Sequence, residues 1–377
     1  ADIPNDSPLF RICGFNPLTQ IVVDVVYGCI AKRLPRVWLS PFLRLPKENN
    51  KNVLRKQKGS LLNGKSTDRV YKRMKRLKKH TPNNFARKVP TFQDRKYWKS
   101  TEYRQFILYY GPVIFHNILP HKEYESFLIL YCCLCVLSDK TKVKNVDTLH
   151  SVEELLQVFV KQCEQLYGCA FVVHNVHYLI HLVDHVRLYG VLENFSCFIY
   201  ENHLRKVKKH IKSGNCSLKQ LENGYIRSLA LTSSFKGKKC QDELKLKQKM
   251  KNGHFGVLEL HNTIYQCNQE GDRYCLLNDT VSGQSKLIKL QSFSLDAEDN
   301  ILVHCREFHK KRSFFSYPCP SEDVGVYVGS KLSDTYSTYD LSLVTSLMKC
   351  YCIPLDDDAG RHEYVLVTLL HDEYHKD

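Results

Sequence analysis

The sequence has 377 residues, 43% of them hydrophobic and 25% charged, with a formal net charge of +16. That apolar content excludes a disordered or fibrous chain and leaves room for two or three domains with cores of their own. The longest apolar run, Phe127 to Leu137, is too short to cross a bilayer, so no membrane partner is expected.

Along the chain, Leu18, Ile21, Val22 and Val23 form a mostly β-branched run that predicts a short strand ending at Asp24. A carboxylate at the end of a strand in an α/β fold often lines a catalytic crevice, although capping the next helix is the plainer alternative. Val25 to Leu39 continues as an apolar and basic segment, partly helical, which Pro35 should interrupt.

Charge is concentrated next. Residues 31 to 100 hold 22 Lys and Arg against Glu48, Asp68 and Asp94, a local balance of +19, while all other residues together carry −3. Such a concentration points to nucleic acid, with a solvated linker as the alternative. Within it, residues 45 to 68 read as a polar loop, and 45–97 as a basic linker with one helix. That helix, Val70 to His80, offers Lys72, Arg73, Lys75, Arg76, Lys78 and Lys79 to phosphates or as a nuclear-localisation signal.

From Trp98 the pattern is helical and apolar, punctuated by Gly111, Pro112 and Pro120, and Ser151 with Glu154 has capping-box spacing at the start of a further helix. The sixteen cysteines include a single CxxC, Cys132 to Cys135, inside an apolar run and without a second pair at zinc-ribbon distance. No secretory leader opens the sequence, so reduced thiols in the nucleus or cytosol are expected.

His174 to Ser213 carries the densest chemistry. A helical wheel gathers His174, His177, His181 and His185 in one sector opposite Leu179, Leu182, Val183 and Val186, and Gly190 should end this helix. Glu201 then opens a second helix in which Leu204, Val207 and Ile211 recur on one side, with Arg205, Lys206, Lys208 and Lys209 largely turned away from them. His177, His181 and Asp184 lie along one helix edge at spacings that suit zinc, but the glutamate of an HExxH site is missing.

Residues 236–252 read as a basic linker. Beyond it come runs at Gly256–Tyr265, Tyr274–Leu277, Lys286–Phe293, Ile301–Glu307, Val324–Val328, Lys349–Pro354 and Tyr364–Leu370. Their spacing predicts a small β-rich accessory domain over 253–377, a barrel or a sandwich.

Three runs carry a family resemblance. ARKVPTFQDRKYWKSTEYRQFILYYGPVIFHNILP (Ala86 to Pro120), VVHNVHYLIHLVDHVRLYGVLENFSCFIYENHLRKVKK (Val172 to Lys209) and FFSYPCPSEDVGVYVGSKLSD (Phe314 to Asp334) resemble animal transposase-domain proteins related to the CACTA (EnSpm-like) DDE transposases. The resemblance implies an α/β fold with a large helical part: an RNase H-like core, represented by residues 1–44, a helical insertion and closing helix over 98–235, and the accessory domain. It also implies DNA cleavage and joining by three carboxylates and two Mg2+ or Mn2+ ions. Asp24 matches the second aspartate and Glu201 the glutamate, so both are the expected metal and catalytic residues.

Two departures bear on activity. The family follows its second aspartate with Tyr-Met-His, whereas Asp24 runs into Val25, Val26 and Tyr27, so the DxxH histidine is absent. The first aspartate belongs upstream of Ala1. The expectation is therefore a nuclear, transposon-derived DNA-binding protein, catalytically incomplete as it stands. Three alternatives stay open: an active metal-dependent nuclease completed by an upstream segment, a zinc-structured module using His177, His181 and Asp184, and a non-catalytic interaction scaffold.

Overall fold

The computed structural model describes residues 8–16, 20–22, 24, 30–39, 42–44, 54–56, 62–91, 94, 97–234, 244–251, 253–261, 263–280, 283–355 and 363–370. A helical N-terminal part is followed by an antiparallel β-rich C-terminal part.

The strand expected over Leu18 to Val23 is not formed by its described members. Gln20 closes a helical turn onto the Asn16 carbonyl at 2.9 Å, and Ile21 and Val22 pair with no strand. Leu18, Thr19 and Val23 lie outside the described residues. A lone extended segment without a neighbouring strand leaves its backbone groups unpaired, and here a turn satisfies them instead.

Helix α1 (Ile30–Leu39) runs through Pro35 rather than stopping there. An internal proline costs about 3 kcal/mol, and burying Leu34, Val37 and Trp38 offsets that loss. Trp38 meets Phe115 and Phe127 edge-on, and its indole N–H donates to the Tyr167 hydroxyl at 2.9 Å. A short hairpin follows, β1 (Phe42–Arg44) against β2 (Leu54–Lys56).

Helix α2 (Gly64–Leu77) starts earlier than its basic run suggested, because Asn63 caps it by accepting from the Ser66 amide at 2.8 Å. Val70, Met74 and Leu77, at i, i+4 and i+7, are buried. Residues 62–91 are therefore folded structure rather than linker. Next come α3 (Ser100–Gln105), a π-helical turn (Phe106–Tyr110) and α4 (Gly111–Phe115). Gly111 is required at that junction, since a Cβ there would lie 2.6 Å from the Phe106 carbonyl oxygen and 2.9 Å from the Phe127 ring.

Helix α5 (His121–Ser138) is buried on nearly every side from Ser126 to Leu137, and no helix among the described residues is long and apolar enough to cross a membrane. Helix α6 (Val146–Tyr167) begins five residues before the expected Ser151 start, because Asn145 accepts from the Thr148 amide at 2.9 Å and supplies the cap. Ser151 instead donates back to the Asp147 carbonyl at 3.0 Å. The histidine segment divides into α7 (His174–His177), a 3-10 stretch (Tyr178–His181) and α8 (Leu182–Tyr189), ended as expected at Gly190 with φ +81°. Helices α9 (Cys197–Lys208) and α10 (Ser217–Ser234) follow.

The β-rich part contains β3 (Lys245–Lys249), β4 (Phe255–Leu260), β5 (Thr263–Gln266), β6 (Tyr274–Asp279), β7 (Ser285–Leu295), β8 (Ile301–Ser313), β9 (Val326–Leu332), β10 (Ser337–Asp340), β11 (Val344–Pro354) and β12 (Glu363–Thr368). Pairing runs β6 to β7, β8, β9, β12, β11 and back to β6, every step antiparallel. Six strands thus close a barrel, the first of the two expected forms. Strand β3 lies inside the expected 236–252 linker; it pairs with β4 as a lysine-bearing edge strand whose Leu246 packs inward.

The period-two alternation of strands separates two faces. Cys350, Cys352, Leu366 and Tyr327 join Tyr274, Leu276, Leu287 and Phe308 in one cluster inside the barrel. Their neighbours Tyr351, Ile353, Val365, Val367, Val326 and Val328 belong to the same apolar cluster as the helices. Polar groups seal this seam. The Lys349 ammonium lies 2.6 Å from the Asp272 carboxylate and donates to Asn84 Oδ1 and the Ile264 carbonyl, while the Asn83 amide donates to Asp272 at 2.9 Å.

Candidate functional site

Asp24 is buried at the start of α9. Its Oδ2 accepts from the Cys197 amide at 2.7 Å and from the Ser196 hydroxyl at 3.0 Å. A carboxylate on the unpaired amides of a helix N-terminus is held by hydrogen bonds and by the helix dipole together. Glu201 stands on the same helix, four residues on and so about 6 Å further along the axis, and it is exposed. The two predicted carboxylates thus share one helix, Asp24 at its cap and Glu201 in its second turn.

Beside Asp24 lies a small cavity of about 50 Å³, lined also by Arg104, Glu193 and Ser196 and by apolar side chains including Ile107, Leu134 and Phe195. Arg104 pairs with Glu193 at 3.1 Å and lies 5.1 Å over the Phe198 ring. This cation and its partner were not singled out from the sequence. They are 89 positions apart, and the only signal was that each falls in a run quoted for the resemblance. Glu201 does not line the cavity. Among the described residues no group of three His, Cys, Asp or Glu side chains comes together around a point that would hold a metal. Asp24 Oδ2 is taken by two donors, and the described residues do not assemble a two-metal centre around it.

In the histidine segment, His174, His177, His181 and Asp184 are exposed, but His185 is buried. The single imidazole face expected from a continuous α-helix is broken by the 3-10 stretch. Four residues at 120° rather than 100° per residue add roughly 80° of rotation, which carries His185 into the core between Tyr178 and Phe195. Burial lowers the His185 pKa. The His177 and His181 rings are 6.0 Å apart, and His181 Nδ1 is 4.0 Å from Asp184. Asp184 is held at 2.9 Å by Arg187, which also binds Glu153 of α6 at 2.7 Å. Asp184 therefore serves an ion-pair chain that ties α8 to α6, and the zinc arrangement is not assembled.

The basic residues behave differently from one another. On α2 and its C-terminal turn, Lys72, Lys75, Arg76 and Lys79 are exposed on the side away from Val70, Met74 and Leu77, and Lys78, one turn past Met74, is exposed at the end of the helix. Arg73 is withdrawn from that face. Its guanidinium donates to the carbonyls of Val113, Ile114 and His116 at 3.2, 2.7 and 2.8 Å, capping α4, and burial lowers its pKa. On α9 and its C-cap, Arg205, Lys206, Lys208 and Lys209 are all exposed. Leu204 and Ile211 of the expected apolar stripe are exposed as well, and Val207 is half-buried.

Two family models match the chain, each described as a domain of unknown function. DUF4218 covers residues 140–247, from just ahead of α6 through α10 to the middle of β3, and DUF8592 covers 238–369, which contains the barrel. No curated protein and no solved structure matches the chain.

Proposed function

We propose that the chain is a transposon-derived, nuclear DNA-binding protein that resembles a DDE transposase and is catalytically incomplete. The observation that carries this reading is the lysine-rich outer face of α2. Its buried stripe fixes the helix against the core, so Lys72, Lys75, Lys78 and Lys79 are presented together to solvent at little ordering cost. The basic end of α9 supplies a second row, on the helix anchored by Asp24. In this reading residues 1–44 stand for part of an RNase H-like core, and residues 98–235 for the helical insertion and closing helix. Asp24 acts as the anchor of α9, and the missing DxxH histidine accounts for lost chemistry.

The test is binding of labelled duplex DNA by anisotropy across a salt series. Log affinity should fall linearly with log salt, by about 0.9 per phosphate neutralised. Replacing Lys72 and Lys75 by Glu should weaken binding to all sequences and flatten that slope by about 2. Affinity that is weak and indifferent to salt would favour a scaffold without a nucleic-acid partner. Cleavage in Mg2+ or Mn2+ that disappears in Glu201→Gln would replace this reading with an active nuclease.

A further inference from the structure

We propose that the open mouth of the C-terminal barrel binds a nucleotide, either free or as one unit of a single-stranded nucleic acid. The site is built from barrel strands and does not depend on duplex binding by α2 and α9, although Lys289 lies within electrostatic reach of His80 in the turn after α2. It is a cleft of about 590 Å³, inside the range of roughly 300–1,000 Å³ usual for ligand sites, which recur at the mouths of barrels. Four of the six barrel strands, β6, β8, β9 and β12, bring Tyr274, Phe308, Lys310, Lys331 and Tyr364 to it, and β7 adds Lys289.

Three rings form an apolar wall. Tyr274, Phe308 and Tyr364 lie with mutual centroid distances of 6.0 to 6.3 Å. Gly329 makes room for this arrangement, since a Cβ there would lie 3.0 Å from the Phe308 ring and 3.1 Å from Leu366. Tyr364 is the ring most open to solvent, half-buried where Tyr274 and Phe308 are buried. It offers a π surface on which a base can stack.

The rim is cationic. Lys289 sits 5.1 Å over the Tyr274 ring, and Lys310 and Lys331 are exposed with no carboxylate partner among the described residues. Lys331 has a left-handed backbone, φ +55°, where the β8–β9 ladder is interrupted between Phe308↔Leu332 and Lys310↔Ser330. A lysine held in that conformation at a cleft is the kind of local strain that persists at binding sites. The acidic groups nearby are already engaged, Glu363 by Arg312 at 2.8 Å and Glu270 by Arg273, Lys289 and the Tyr274 hydroxyl. The cleft is therefore matched to an anion. An aromatic wall alone would also suit a methylated ammonium ion, but Lys310 and Lys331, exposed at the rim without carboxylate partners among the described residues, oppose a cation. An acidic peptide would satisfy the lysines and leave the rings unused. A nucleotide satisfies both.

The experiment uses the full chain and a labelled twelve-residue oligothymidylate carrying one 5-iodouracil. Irradiation should attach the oligonucleotide to peptides containing Phe308 or Tyr364. Replacing Lys310 and Lys331 by Glu should weaken binding at least tenfold. Tyr364→Leu, which keeps the apolar volume, should weaken it five- to tenfold while leaving the affinity for inorganic polyphosphate unchanged. Displacement by thymidine monophosphate at similar concentration would identify a free nucleotide as the ligand, and displacement only by the oligomer would identify a strand. Cross-links confined to α2 or α9, unchanged oligomer affinity in Tyr364→Leu, or equal displacement by polyglutamate would each overturn the proposal.

Discussion

Lys349 and Asp272 form an ion pair inside the protein, with Nζ 2.6 Å from Oδ1 and the side chains only 2% and 1% exposed. The pair joins β11 to the turn before β6, and the loop after α2 adds hydrogen bonds through Asn83 and Asn84, while Asp272 Oδ2 stays buried without a partner among the described residues. Removing one partner of such a pair strands a buried charge, at a cost of about 3–5 kcal/mol, whereas replacing both by apolar groups is often close to neutral. Lys349→Met should therefore lower the urea midpoint sharply, and adding Asp272→Leu should restore most of the loss. A single variant costing under about 1 kcal/mol would show that the charges are not isolated from water.

Asp24 supports α9 through two hydrogen bonds, so its loss should be local. Asp24→Ala should cost about 0.5–2 kcal/mol, as for other helix caps, and hydrogen exchange should accelerate at the amides of Cys197 and its neighbours. Asp24→Asn, which keeps an acceptor oxygen, should lose less. Exchange unchanged in Asp24→Ala would mean that Ser196 alone carries the cap.

Burial lowers the pKa of His185 and of His116. Each ring is therefore neutral in the folded protein at pH values where the unfolded chain, titrating near 6.5, has begun to take up a proton. Below that point the unfolded state binds more protons, so stability falls as pH drops through about 6.5 toward the lowered folded value. Tm should decrease between about pH 7.5 and 5.5. His185→Phe should flatten that decrease, and an equally steep decrease in the variant would place the titration elsewhere.

Cys132 of α5 lies beside Cys319, in the loop between β8 and β9, and their interaction raises the Cys132 pKa and lowers that of Cys319. Burial pushes the neighbouring Cys135 up to about 12. Because thiolates are the reacting species, iodoacetamide near neutral pH should label half-buried Cys319 together with exposed Cys13, Cys169 and Cys216, and spare Cys135. Cys132→Ala should slow labelling at Cys319 several-fold; a rate that stays the same would mean the neighbouring thiol does not set its reactivity.

What could be read from the sequence follows a physical division. The barrel strands are apolar runs bounded by turn residues, so the seven runs located eight strands, the six of the barrel and the β4–β5 pair, from pattern alone. Gly190 was legible because a left-handed C-terminal residue favours glycine. The inward turn of His185 was not, because a switch from α to 3-10 geometry leaves no mark in composition. Arg73 and Lys72 are equally basic, and only the position of the α4 carbonyls separates a cap from a surface cation. Asp24 was singled out for the end of a strand, and its partners on α9 are 172 and 173 positions away. Strands β3 and β10 are short edges that carry little alternation of their own.

The valines that alternate outward from β9 and β12 have a consequence for how the molecule divides. Val326, Val328, Val365 and Val367 share one cluster with Trp38, Phe115 and Tyr131, so the barrel wall facing the helices has no watery counterpart. The two family matches meet near residues 238–247, yet the apolar cluster runs on from the helices into the barrel. Parting the chain there would expose a valine-rich wall on one fragment and an aromatic floor on the other, each a nucleus for aggregation, and the intact protein should melt as one unit.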